Sequence, residues 1–191
     1  MRVERPISWD IPDATSCDPR RLRRAFGAYG TGVAVVGAVS ASGALVGMTI
    51  NSFSSISLSP PLVMFCPSKS SPVYDVYRYA THFSVSILRE DQATTAERFS
   101  RPRPDKWDGV EYQLTENGVP MLSVALASFE CRSYARHEAG DHQIVLGEVL
   151  RCAVDDTAPD PLLFYASQYV AMRQTSMPDA LVYAHLAGWA A

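Results

Sequence analysis

The chain has 191 residues, 47% of them apolar and 19% charged, with a formal net charge of −3. That composition describes one globular domain with enough apolar side chain to bury a core, and the mild negative charge excludes a dedicated nucleic-acid binder, whose contact face would be basic. No apolar run is long enough for a signal peptide or a membrane span, so a cytoplasmic protein with no membrane contact is expected.

Residues 1–17 contain prolines without periodicity and read as a surface arm. Asp18-Pro19 supplies a cap and a first-turn proline for a helix whose apolar face is Leu22, Ala25, Phe26 and Tyr29. Arg20, Arg21, Arg23 and Arg24 form its solvated side, and Gly30 and Gly32 end it. Residues 33–39, VAVVGAV, are a short β-branched run and predict a strand. A turn at Ala41-Ser42-Gly43 returns the chain as a second strand over residues 44–48.

The segment from Gly47 to Pro72, GMTINSFSSISLSPPLVMFCPSKSSP, concentrates the polar chemistry. In residues 49–57, Ile50 and Ile56 share one phase while small hydroxyl and amide side chains fill most other places. That pattern suits a strand and turn that offer hydrogen bonds to a flat polar ring. Residues 62–66 predict a buried strand stopped by Pro67. Ser71 then reads as an N-cap and Pro72 as the first residue of a helix running to Tyr79-Ala80. Free backbone N–H groups, hydroxyls and Lys69 would converge there as an anion site; an ordinary capped helix with a solvated lysine accounts for the same residues.

Further on, Phe83, Val85 and Ile87 alternate with polar neighbours as a strand, and Asp91 caps a short helix through Phe99. Residues 100–109 form a Pro-rich polar loop in which Arg101, Arg103 and Lys106 read as solvated. Residues 122–134 and 143–154 predict a long strand pair joined by residues 135–142, with a bulge where the apolar phase shifts between Leu126 and Phe129. Residues 161–169 are mixed in pattern. Residues 174–191 are a tail without legible chemistry. Many consecutive strands and three short helices point to a mainly β, antiparallel, barrel-like fold.

Several chemistries are absent. Gly30-x-Gly32 precedes a strand and has Val35 where a dinucleotide fingerprint needs glycine. His137-Glu138 and His142 have neither the spacing nor the helix of a zinc protease, and no nucleophile elbow occurs. Cys17, Cys66, Cys131 and Cys152 form no close pair, so neither a zinc ribbon nor a disulfide framework is expected. Cys66, Cys131 and Cys152 lie in apolar runs and read as small buried hydrophobes. No metal site is expected. Gly140-Asp141-His142 is a hairpin tip that places His142 either at a site mouth or simply in a turn. His82 and His185 carry no spacing signal.

The chain resembles the flavin reductase-like family, the small reductase components of two-component flavin-dependent monooxygenases. The resemblance rests on Thr31-Gly32-Val33, on Asn51-Ser52-Phe53-Ser54-Ser55-Ile56-Ser57-Leu58 with Pro60-Pro61, on Lys69-Ser70-Ser71, on Gly140-Asp141-His142 and on Gly147-Glu148-Val149. It covers roughly residues 20–173 in order, within a domain taken as 18–173.

The family implies a split β-barrel of the FMN-binding type, assembled as a homodimer with flavin near the subunit boundary. It implies NAD(P)H-dependent reduction of FMN or FAD, with NADH or NADPH as donor and reduced flavin diffusing to a separate monooxygenase. By position, Thr49, Ile50, Asn51 and Ser52 would line the ring. Cys66, Pro67, Ser68, Lys69, Ser70, Ser71 and Pro72 would wrap the ribityl chain and phosphate. Phe99, Ser100 and Arg101 would lie at the outer end of the flavin. His142, the catalytic-site histidine, would orient the nicotinamide together with Tyr169. The family often has glycine where Gln168 stands, which leaves open a flavin-holding carrier with no productive nicotinamide site. It often has proline where Gly30 stands, a change confined to a turn.

Overall fold

The computed structural model of the protein describes residues 18–157 and 160–172. The expected arm and tail lie outside the described residues. Helix α1 (Pro19–Phe26) starts as its sequence predicts: Asp18 accepts from the Arg20 N–H, and Pro19 occupies the first turn. Its apolar face is not buried, however, and Phe26 and Tyr29 are 71% and 78% exposed.

Twelve strands follow among the described residues: β1 (Thr31–Gly32), β2 (Ala34–Val39), β3 (Leu45–Ile50), β4 (Ser54–Leu58), β5 (Pro61–Phe65), β6 (His82–Ile87), β7 (Tyr112–Leu114), β8 (Pro120–Leu122), β9 (Ala127–Ala139), β10 (His142–Val154), β11 (Leu163–Tyr165) and β12 (Gln168–Val170). Two further helices, α2 (Tyr74–Tyr79) and α3 (Ala93–Ser100), flank β6 in sequence. Seven strands form one sheet in the order β3-β2-β6-β9-β10-β5-β4, β1-β11-β12 form a second, and β7-β8 pair alone. Every strand pair is antiparallel. Among the described residues no ladder joins the edge strands β3 and β4.

The β2 run is apolar on both faces because it separates two cores. Ala34, Val36 and Ala38 enter a cluster with Ile50, Val63, Phe65, Tyr77, Phe83, Val85, Cys131 and Val145. Apart from Tyr77 of α2, those side chains come from six of the seven strands, so the sheet wraps around them. Tyr77 is fully buried there, and its hydroxyl donates to the Val36 carbonyl. Val33 and Val35 point the other way, into a cluster with Leu88, Ala96, Phe99, Trp107, Leu122 and Leu162. Alternation along one strand thus feeds both layers.

Four expectations need correction. The helix expected from Pro72 begins only at Tyr74 and has no side-chain cap. Ser71 is used instead to close a turn, its carbonyl accepting from Tyr74 N–H and its hydroxyl from Val73 N–H. The expected Asp91 cap lies inside a 3-10 turn, Glu90–Gln92, and α3 starts after it. The expected strand over residues 122–134 is two strands, β8 and β9, separated by residues 123–126. Its bulge falls at Tyr134, which has no partner between Ala135↔Leu146 and Ser133↔Gly147; Leu150 is the matching extra residue on β10. Cys152 is exposed, because the far end of β10 runs past the core, whereas Cys131 is buried and its thiol is pushed up to about 12 by burial and then by Glu130.

Candidate functional site

Strand β3 carries one wall of a cleft of about 180 Å³ lined by Val33, Thr49, Ile50, Asn51, Ser100, Phe164 and Tyr169. Thr49 and Ile50 end the strand, and Asn51 lies exposed in the bend after it. Thr49 is fixed by its own hydroxyl, which donates to the Ala96 carbonyl of α3 at 2.6 Å. That commits the hydroxyl proton and leaves only its oxygen lone pairs for a ligand. Ser100 closes α3, its hydroxyl donating to the Glu97 carbonyl. The opposite wall is the β11–β12 hairpin, where Phe164 and Tyr169 meet edge-on with ring centres 5.7 Å apart. Burial and then the Glu97 charge raise the Tyr169 pKa, so its hydroxyl stays protonated.

Close approach under this cleft requires Gly47. A side-chain carbon there would lie 2.4 Å and 2.5 Å from Phe99 ring atoms. Phe99 itself is fully buried, edge-on to Trp107 at 4.7 Å. Its side chain therefore offers no face to a ligand, contrary to its expected place at the flavin. Its carbonyl accepts from Lys106, whose ammonium also donates to the Gly47 carbonyl. Lys106 is 8% exposed, so the solvated reading of that residue is wrong, and desolvation lowers its pKa. Arg101 turns back along α3 to Glu97 and lines a separate surface cleft with Thr94, Arg98 and Arg103.

The second part of the expected site adjoins the first. Ser52 accepts from the Cys66 N–H at 3.0 Å, and the Ser71 hydroxyl lies 3.9 Å from the Met48 sulfur. These contacts tie the bend after β3 to residues 66–71 after β5. Cys66 is half-buried, which raises its thiol pKa, and Pro67 is buried. Ser68 and Ser70 bond to each other through their hydroxyls at 2.9 Å. Pro72 is exposed. With α2 only six residues long and starting later than expected, the groups this loop offers an anion are hydroxyls and Lys69, not a helix end.

The hairpin tip of β9–β10 lies against this loop. Gly140 adopts φ +61°, a left-handed conformation that glycine takes without strain and that places it first in a two-residue turn with Asp141. His142 forms a bridge with Ser68, and the Lys69 N–H donates to the Asp141 carbonyl at 2.9 Å. His142 Nδ1 is 2.8 Å from the Asp141 carboxylate, whose pKa that contact lowers. With Nδ1 carrying the proton toward Asp141, Nε2 of the neutral ring is an acceptor.

Four residues of this region were not anticipated from the sequence. Val33 and Phe164 line the cleft, Glu138 pairs with Lys69, and Gln143 donates to Glu138. Glu138 was legible in principle, since a two-residue turn at Gly140-Asp141 sets Glu138 opposite Gln143.

The profile of the flavin reductase like domain matches residues 26–173. The chain is 46% identical over 145 residues to an FMN reductase (NADH), SmoA, from Agrobacterium fabrum, covering 76% of this chain and 81% of that one. It is 36% identical over 169 residues to the reductase subunit HsaB of a flavin-dependent monooxygenase from Rhodococcus jostii, covering 88% and 84%. It also superposes with TM-score 0.75 and 36% identity on the Streptomyces globisporus NADH:FAD oxidoreductase SgcE6, solved with NAD and FAD fragments, covering 85% and 95%.

Proposed function

The chain belongs to the flavin reductase-like domain family, and on that premise we propose that it is an NAD(P)H-dependent flavin reductase. It takes FMN or FAD and delivers reduced flavin to a separate monooxygenase component. The observation that carries this reading is that the cleft wall ending at Asn51 runs directly into Ser52, whose hydroxyl accepts from the Cys66 N–H and so ties the cleft to the start of the Ser-Lys loop. A flat ring with a charged tail fits such a cleft along one edge and reaches the loop with its tail.

When bound, the flavin supplies the hydride acceptor and the reduced nicotinamide the donor. The protein's residues position and shield. Ile50 and Val33 give the cleft an apolar floor, Thr49 offers an acceptor, and Asn51 and the Ser52 hydroxyl offer donors to the ring edge. Lys69, Ser68, Ser70 and Ser71 receive the phosphate. His142, oriented by Asp141, presents Nε2 to the nicotinamide carboxamide, a positioning role. Tyr169 and Phe164 cover the remaining side against water. Arg101 and Phe99 support the outer end only through backbone and α3. Two finer readings belong with this one. The wrapping of one core by six strands supports a split barrel, and the exposed Ile56, Leu58, Tyr134 and Leu150 support a homodimer.

The test follows absorbance of the reduced nicotinamide, with NADH and NADPH each crossed against FMN, FAD and riboflavin. Oxidation that scales with added flavin is expected. A bound flavin that ignores both nucleotides would instead make the protein a flavin carrier. His142→Ala should slow oxidation about tenfold or more while flavin affinity stays near wild type, since the loss is one of orientation.

A further inference from the structure

Lys69 is the cation expected to meet the flavin phosphate, yet its charge is already engaged. Its ammonium lies 2.6 Å from one Glu138 oxygen and donates to the Gly140 carbonyl at 2.7 Å. The other Glu138 oxygen accepts from Gln143 Nε2 at 2.9 Å. Gln143 is 4% exposed, so its amide is a fixed prop, and turning it over would aim its oxygen at the carboxylate. Glu138 is thereby held on Lys69 from across the hairpin. The other charges facing this pair are Asp141, which is hydrogen-bonded to His142, and Arg78, which adds to the positive field at Glu138.

We propose that Glu138 determines how weakly this loop binds an anion: it is a resident counter-ion that a flavin phosphate must displace from Lys69. The inference rests on the reading of residues 66–71 as the phosphate loop. The Lys69 contact, and then the Gln143 hydrogen bond, hold the Glu138 carboxyl below the usual carboxylate range, so the competitor is charged at neutral pH. Both partners are substantially exposed, so the pair is a soft one that a dianion can open. Displacing it weakens phosphate binding by roughly two- to fivefold. A loop that grips its anion against an internal competitor releases it readily, as a flavin that leaves for another protein requires.

The experiment measures dissociation constants for FMN and for riboflavin, which lacks the phosphate, by flavin fluorescence in the full chain. Glu138→Gln keeps an acceptor for Gln143 and turns an amide NH2 toward Lys69, so the lysine loses both the counter-charge and its carboxylate acceptor. The variant should bind FMN roughly two- to fivefold more tightly and leave riboflavin unchanged, with the gain shrinking as salt screens the phosphate. An FMN affinity that is unchanged or weaker, or an equal change for both ligands, overturns the proposal. Lys69→Gln separates the two levels of argument. If it weakens FMN alone, the phosphate loop stands and the Glu138 result is decisive. If it leaves the FMN-to-riboflavin ratio at the wild-type value, the phosphate loop itself falls and the role of Glu138 falls with it.

Discussion

At the ring end of the proposed site, Thr49 and Ile50 leave a strand whose ladder partner, β2, lies between two buried clusters, and Thr49 is bonded to the backbone of α3. At the tail end, Ser68, Ser70 and Lys69 stand on a loop and bond chiefly to one another and to a hairpin tip. Packing fixes the first region and exposed charge the second. A change at the ring end should therefore cost stability and ligand together, while a change at the tail end should alter the ligand alone.

The largest expected effect is Gly47→Ala. The new carbon collides with the Phe99 ring, and overpacking of this kind typically costs about 1–3 kcal/mol. The displaced α3 would carry Ser100 and the Ala96 carbonyl with it, so urea midpoint and riboflavin affinity should fall together. An unchanged midpoint would break the contrast. Thr49→Val comes next. It removes the hydrogen bond to the Ala96 carbonyl, a loss of about 1 kcal/mol, and should weaken FMN and riboflavin equally, in contrast to the phosphate-selective loss expected at Lys69.

Acid sharpens the comparison within one strand, β9. Glu130 is 3% exposed; burial raises its pKa, but hydrogen bonds from Thr115 and Asn117 outweigh that and leave it lowered. Its folded-state pKa is below its unfolded one, so its contribution is complete above the unfolded value of about 4.3 and is lost as pH falls through the folded value. Glu130→Gln should be less stable than wild type at neutral pH and converge with it in acid, read from urea midpoints. Glu138 on the same strand is exposed, and Glu138→Gln should leave those midpoints nearly unmoved.

Much of the fold was legible because it is written in local pattern. Residues 33–39 and 83–87 declare themselves by β-branched and alternating side chains, and Asp18-Pro19 by cap chemistry. That Thr49, Ile50 and Asn51 would line a common surface was expected through family resemblance joined to that pattern, and they share one cleft. What escaped depended on partners far along the chain. Ser71 has the chemistry of an N-cap but spends it closing a turn. Lys106 reads as solvated until the Gly47 and Phe99 carbonyls supply its acceptors. The two-strand split at β8 and β9 follows from the pairing of Pro120–Leu122 with β7, which no periodicity announces. Phe164 lines the cleft only because β11 pairs with β1, more than a hundred residues earlier.

That last pairing bears on how the molecule is assembled. The seven-stranded sheet is complete at Val154, whereas Phe164 and Tyr169 belong to a separate ribbon anchored on Thr31 and Gly32. A chain ending after β10 would contain every strand of the large sheet and still lack one side of the cleft. On the proposed reading of the cleft, competence for a flavin therefore trails behind formation of that sheet, arriving only when the β11–β12 hairpin closes against β1.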